Sequence, residues 1–272
     1  MSQRILYCGD TSLKGAAAYL AGLMAHWNWA CDYVPSDQPL TSDLLAANHS
    51  LFVFSDYPAQ RLTTELSAAI KQRISDGAGL LMIGGWESFH GLGGDWDASP
   101  LAEVLPVEIA AADDRVNCDH LVLARPVEPQ TSEPTAAVHP ILAGLPWDER
   151  PPLIGGFNRV KAKPAATVLL NAVQFRLRGT PQAFGTSRIG ADPLLVVGSF
   201  GAGRTAAFTS DIAPHWIGPM VDWGETRVTA QAAGADAIEV GSRYAQFFQQ
   251  LLSWVRKPVP PPVWLDRSME EV

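Results

Sequence analysis

The 272-residue chain is short of cysteine, of basic charge and of long apolar runs, and each shortage narrows what it can be. It has three cysteines, Cys8, Cys31 and Cys118. An odd, sparse count fits reduced thiols in a cytosol better than a disulfide framework, and the spacing matches no zinc motif. Buried, inert thiols are the expectation. Lysine and arginine number 20 against 28 acids, giving a net charge of −8. That balance argues against a nucleic-acid partner, which needs a basic surplus to neutralise phosphates, and against an anionic membrane surface. No apolar run reaches the length of a membrane span. The opening Met-Ser-Gln-Arg-Ile-Leu-Tyr runs straight into a strand pattern without a signal-peptide core, so a cytoplasmic protein is expected. No His-x-x-x-His pair and no tight cluster of acids with histidines appears, so neither a metal nor a cofactor is expected.

What is present is an alternation of strand and helix. Arg4-Ile-Leu-Tyr-Cys8 reads as a strand. Gly9-Asp10-Thr11-Ser12 turns and caps a helix whose apolar face holds Leu13, Ala17, Leu20, Ala21, Met24 and Trp27. A second strand spans 30–35. Ser50-Leu-Phe-Val-Phe54 and Gly79-Leu-Leu-Met-Ile-Gly-Gly85 are continuous apolar runs, as expected of strands covered on both faces. Between them a helix is expected over 60–76, closed by Gly77. Strands separated by helices imply right-handed crossovers and a parallel sheet.

Residues 95–164 are rich in proline and poor in helical pattern, and read as a β-rich elaboration with short strands at 105–109 and 120–125 and a polar loop at 128–134. Order returns with a strand at 167–171. Then 193–200 and 204–209 flank Gly201-Ala-Gly203, which signals a hairpin. A last helix is expected over 240–256, with Val240, Tyr244, Phe247, Phe248, Leu251, Leu252 and Val255 as its apolar stripe. The chain thus divides into one α/β domain, 1–256, and a Pro-rich tail, 257–272. That tail carries Trp264 and could hold a partner or join copies into a homo-oligomer.

Ligands of open parallel sheets sit beyond the carboxyl ends of the strands. Four segments should meet there: 9–12, 55–57, 84–95 and 210–216. They supply Asp10, Asp56, Tyr57, Trp86, Ser88, His90 and Trp216 as candidate ligand-binding residues, and Asp211, His215 and Glu87 as candidate acid–base groups. Each has a plainer reading. Asp10 can cap a helix, Asp56 can satisfy loop amides, Trp86 can pack in the core, and Asp211 with His215 can be a structural pair. His139 and Asn158 read most simply as a loop contact and a turn. Gly91-x-Gly93-Gly94 lacks dinucleotide spacing, and Trp-Glu-Ser88-Phe-His is not a serine-hydrolase elbow.

The segments Asp76-Gly-Ala-Gly-Leu-Leu-Met-Ile-Gly-Gly-Trp-Glu-Ser-Phe-His-Gly, Ser99-Pro-Leu-Ala-Glu-Val-Leu-Pro-Val-Glu108, His139-Pro-Ile-Leu-Ala-Gly-Leu145, Gly156-Phe-Asn-Arg-Val-Lys161 and 200–211 with His215-Trp216 resemble the glutamine amidotransferase-like domain proteins of bacteria. The resemblance implies a flavodoxin-like, doubly wound, mostly parallel sheet of the class I glutamine amidotransferase type. True class I enzymes carry a cysteine in a Gly-x-Cys-x-Gly elbow and a later His-x-Glu pair. Here the matching strand end is Gly84-Gly-Trp-Glu-Ser, with Trp86 near the nucleophile position, and the later strand ends in Ser210-Asp211. The expectation is a small polar ligand at the strand ends without glutaminase activity. The alternatives are a hydrolase working through the same acids and histidines, or an interaction subunit.

Overall fold

Four short runs of apolar and β-branched residues build one half of the molecule. In the computed structural model, which describes residues 4–127, 138–180 and 183–260, they form β1 (Arg4–Gly9), β2 (Cys31–Val34), β3 (His49–Ser55) and β4 (Gly79–Ile83). Helices α1 (Ala17–His26), α2 (Ser42–Leu45) and α3 (Thr64–Ser75) lie between them. There follow β5 (Leu121–Pro126), β6 (Thr167–Thr180), β7 (Ala183–Phe200), β8 (Gly203–Phe208), α4 (Pro214–Val221) and α5 (Ser242–Val255). One eight-stranded sheet results, in the order β2-β1-β3-β4-β8-β7-β6-β5. The first five strands in that order pair in parallel, and β7, β6 and β5 extend the sheet antiparallel.

Successive residues of a strand point to opposite faces, and both faces here are covered, which is why the strands read as unbroken apolar runs. Ile5, Tyr7, Leu51, Val53, Leu81 and Ile83 pack with α1 and with Phe247, Phe248 and Leu251 of α5. Leu6, Cys8, Phe52, Phe54, Leu80 and Met82 pack with Ile70 and Ile74 of α3. The β7–β8 hairpin turns at Gly201, whose φ of +58° and approach to Ser75 leave no room for a side chain: a Cβ would sit 2.6 Å from the Ser75 carbonyl oxygen.

Several boundaries differ from the sequence reading for identifiable reasons. Helix α3 begins at Thr64, because Thr63 caps it by accepting from Leu66 N at 3.3 Å; residues 59–61 form a separate 3₁₀ turn. Val240 belongs to a short strand, Ile238–Gly241, paired with Arg227–Ala230, so the stripe of α5 starts at Tyr244. The largest departure is in β6 and β7. They run 14 and 18 residues, where the sequence suggested only 167–171 and 193–200. Between 95 and 164, two-residue strands Val107–Glu108 and Lys161–Ala162 pair, as do Arg115–Asn117 and Gly156–Asn158. The loop expected at 128–134, and Trp264 with the rest of the tail beyond residue 260, lie outside the described residues. Among the described residues no helix is long and apolar enough to cross a membrane.

Candidate functional site

The carboxyl ends of β1, β3, β4 and β8 are neighbours in the sheet, and the loops leaving them carry unusual backbone. Gly9 has φ +141°, and Asp10, Thr11 and Asp56 lie in the left-handed region at +51°, +46° and +45°. Non-glycine residues hold that conformation only where the surroundings enforce it. The enforcement is visible. A Cβ on Gly9 would fall 1.5 Å from the Ser55 carbonyl oxygen, and Asp10 N donates to that oxygen at 2.9 Å. The ends of β1 and β3 are thereby clamped together.

Three buried or nearly buried carboxyls meet at this edge. Asp10 is 4% exposed and accepts a hydrogen bond from the Tyr7 hydroxyl. Its Oδ1 has no well-formed partner; the Ser55 hydroxyl lies close enough to favour the charged form but makes no hydrogen bond of acceptable geometry. Asp10 does not cap α1, which has no side-chain cap. Burial first, then the charges of Asp56 and Asp211, push its carboxyl well above the ordinary aspartate range. Asp56 Oδ1 accepts from Glu87 N at 2.8 Å, and Asp56 N donates to Ser88 Oγ at 2.9 Å. Gly85 makes space for that carboxylate, since a Cβ there would come within 2.1 Å of it. Burial and the neighbouring Asp211 push Asp56 up to about 7. Asp211, 3% exposed, accepts from Ile212 N at 2.6 Å and Ala213 N at 3.0 Å through Oδ1. Its Oδ2 lies 3.3 Å from His215 Nδ1. That contact, opposed by partial burial and helped by Asp56, raises the imidazole above its usual value.

The structure therefore brings Asp10, Asp56 and Asp211 into one electrostatic unit, with His215 and Glu87 at its rim. Burial also raises Glu87. Burial and neighbouring negative charge both oppose ionisation of Asp10 and Asp56, so this edge can hold a proton to donate as well as lone pairs that accept. Trp86, half exposed, stands beside it with the Arg115 guanidinium 4.4 Å from its ring. Arg115 is fixed by two bonds to Asp113, at 2.8 and 2.7 Å, and feels the charge of Asp56.

Other expected residues have structural work. Tyr57 is fully buried: its hydroxyl donates to the Gln38 carbonyl at 2.9 Å, and its own carbonyl accepts from Trp96 Nε1. Trp216 lies in the core against Gly156, donating to Asn117 Oδ1 at 3.0 Å. Ser88 is buried and staples the Asp56 backbone. His90 turns to a different set of acids, with Nδ1 2.8 Å from Asp97 Oδ1, and Asp97 raises its pKa.

Sequence reasoning missed the support beneath the loop. Asn158 is fully buried, accepts from Gly85 N at 2.9 Å, and donates to the Gly85 carbonyl at 3.1 Å and to Asp114 Oδ1 at 2.8 Å. Asp114 in turn accepts from His90 N and Gly91 N. Asn158 lies inside the segment Gly156-Phe-Asn-Arg-Val-Lys161, the available signal for it.

No thiol joins this edge. Cys8 points into the α3-side core and is raised strongly by burial; burial pushes Cys31 up to about 12 and Cys118 up to about 11. The charged neighbours of each are acids, arginines or another thiol, never an imidazole. Among the described residues no three His, Cys, Asp or Glu side chains are placed to hold a metal ion. A cavity of about 470 Å³ lined by His49, Arg73, Asp76 and Arg256 lies at the other end of the sheet, where β3 and β4 begin, and includes none of the three acids.

The family model described as "Putative glutamine amidotransferase" matches residues 36–229. No curated protein matches the sequence. Two solved structures from Salmonella typhimurium align over 94% of this chain and 100% of their own: cytoplasmic protein STM1381 of strain LT2, at 26% identity and TM-score 0.66, and cytoplasmic protein STM3548, at 23% and 0.67. A ThuA-like protein from Bacteroides uniformis aligns over 93% of this chain and 91% of its own, at 12% identity and TM-score 0.52.

Proposed function

The chain belongs to the glutamine amidotransferase-like family, and from that premise we propose that it binds a small polar ligand at the strand ends without hydrolysing glutamine. The observation that carries this reading is a strand-end edge that gathers acids and no thiol. Where a cysteine enzyme needs an accessible thiolate beside an imidazole, this edge offers Asp10, Asp56 and Asp211, and burial raises all three thiols of the chain. Such an acceptor-rich rim, with Trp86 and Arg115 beside it, suits a ligand presenting hydroxyl or ammonium donors. Asp10 Oδ1, buried and without a well-formed hydrogen bond, is a polar atom that a ligand hydroxyl, able to donate or accept, would satisfy. The sheet order β2-β1-β3-β4-β8 is the ground for the finer flavodoxin-like, doubly wound description, which we adopt on the same terms.

Thermal-shift measurements with polyols, amines and amino acids test the binding reading. A compound that stabilises the native chain is expected to lose its effect in Asp211→Asn and in Trp86→Ala. Stabilisation that survives both changes removes the ligand from this edge. Ammonia release from glutamine is expected to be absent, and a turnover abolished by alkylating a cysteine would overturn the non-glutaminase reading.

The 3.3 Å contact between Asp211 and His215, next to an Asp56 that titrates near 7, favours a second reading: a hydrolase that activates water with His215 as base and Asp56 as acid. Activity on any ester, amide or glycoside panel that falls by orders of magnitude in His215→Ala would support it. Equal activity in His215→Ala and Asp211→Asn would exclude these roles.

A further inference from the structure

The antiparallel half of the sheet ends in a feature that the ligand site does not use. Strand β5 supports β6 only as far as Phe175, which pairs with Leu121. Beyond that, Arg176–Thr180 and Ala183–Ser187 continue as five residue pairs of a two-stranded arm, every one of them exposed. A two-stranded ribbon alone in water is marginally stable and needs a surface to cover it.

The register sorts the arm into two faces, because paired residues of an antiparallel ladder share a side. Leu177 pairs with Thr186 and Gly179 with Phe184, so Leu177 and Phe184 lie on one face, 55% and 69% exposed. Arg176 and Arg178 lie on the other, and Arg188, opposite Phe175, stands at the base of the Leu177 face. Residues 172–191 contain these three arginines and no acid, in a chain of net charge −8.

The arm's placement narrows what can cover it. Strand β7 runs antiparallel to β8, with Leu195 opposite Phe208, so residues 183–194 pass beyond the carboxyl end of β8. The arm therefore rises from the same edge of the sheet as the loop that follows β4. That loop exposes Trp86 and Leu92, the latter at 60%, beside the acidic side chain of Asp95. It is the complement of the arm: apolar and acidic against apolar and basic. Two arms would repel each other through their arginines, whereas an arm laid on this loop satisfies both kinds of surface.

We propose that the chain forms a two-fold homodimer in which the arm of each subunit lies across the 86–95 loop of the other. Phe184 and Leu177 cover Leu92 and the open side of Trp86, and Arg188, on the same face of the arm, meets Asp95. A two-fold axis over the strand-end edge makes the contact reciprocal, as an isologous interface requires. The proposal does not depend on which ligand the site takes.

Light scattering on the full chain tests it. The expected mass is twice 29.3 kDa, falling toward the monomer as salt is raised. The double variant Leu177→Asp with Phe184→Asp is expected to be monomeric with an unchanged circular-dichroism spectrum, and Leu92→Asp should give the same result. Oxidising a mixture of Phe184→Cys and Leu92→Cys chains should give a disulfide-linked heterodimer, and Phe184→Cys alone should not cross-link. A monomeric native chain, a dimer that survives the arm variant, or an arm-dependent dimer indifferent to Leu92→Asp would each overturn the proposal. So would nucleic acid retained through the arm by a monomer.

Discussion

Replacing Asp56 with asparagine removes an ionisation while keeping the shape and the acceptor. The asparagine Oδ1 can still take the Glu87 N–H that Asp56 accepts at 2.8 Å, so the loop remains tethered. What disappears is the cost of placing a charge beside Asp211 in a largely buried position. Asp56 titrates at about 7 in the folded chain against 3.8 for an ordinary aspartate. The folded protein then binds more protons than the unfolded chain between those values, so this group's contribution makes stability fall as pH rises through that window. The slope approaches about 1.4 kcal/mol per pH unit in the middle of the window and halves at its upper end, giving about 2 kcal/mol between pH 5 and pH 7. Urea unfolding followed by circular dichroism at pH 5, 6, 7 and 8 measures it. The asparagine variant is expected to match the native chain at about pH 4 and to exceed it by a few kcal/mol at pH 8. Relief of Asp10, which feels the charge of Asp56, adds in the same direction. Parallel stability profiles for the two proteins, or a variant less stable at pH 8, would refute the reasoning.

Three further outcomes follow from the same contacts. Asn158→Ala leaves Gly85 and Asp114 without their buried partner and is expected to cost about 2–4 kcal/mol in urea unfolding; a cost below about 1 kcal/mol would mean the network is dispensable. His90 is expected to titrate above 6.5 by proton NMR and to drop in Asp97→Asn, since the 2.8 Å bond to Asp97 is the main cause of its shift. The stability this pair supplies is present below pH 6.5 and fades as pH rises through the higher folded value. Iodoacetamide at pH 7 is expected to label none of the three cysteines at the rate of an activated thiolate, because burial raises all three; rapid labelling of one would identify a thiolate that the structure does not contain.

How much of this was legible in the sequence depended on where the determining contacts lie. The runs at 50–54 and 79–83 announce covered strands by their own composition, and Gly77 marks the end of α3 with a φ of +115°. The meeting of Asp10, Asp56 and Asp211 was also within reach, because parallel strands deliver their loops to one edge. The arm was not. Residues 176–180 and 183–189 mix arginine, glycine, serine and threonine without a buried face, and only pairing between the two strands defines their structure. Tyr57 and Trp216 follow strand ends like the site residues, yet the chain turns both inward, a choice made by Gln38 and Asn117 far away in sequence. Asp114 and Asn158 escaped for the same reason: 44 residues separate two polar groups that find each other only in the folded chain.

Carbon-13 NMR of the aspartate carboxyls, followed from pH 3 to 9 in the native chain and in Asp211→Asn, reads the coupling at the strand ends without a ligand in hand. Asp56 should titrate near 7 in the native chain and move downward when the neighbouring charge is removed. An Asp56 signal near 3.8 that ignores the substitution would contradict the existence of a shared acidic site.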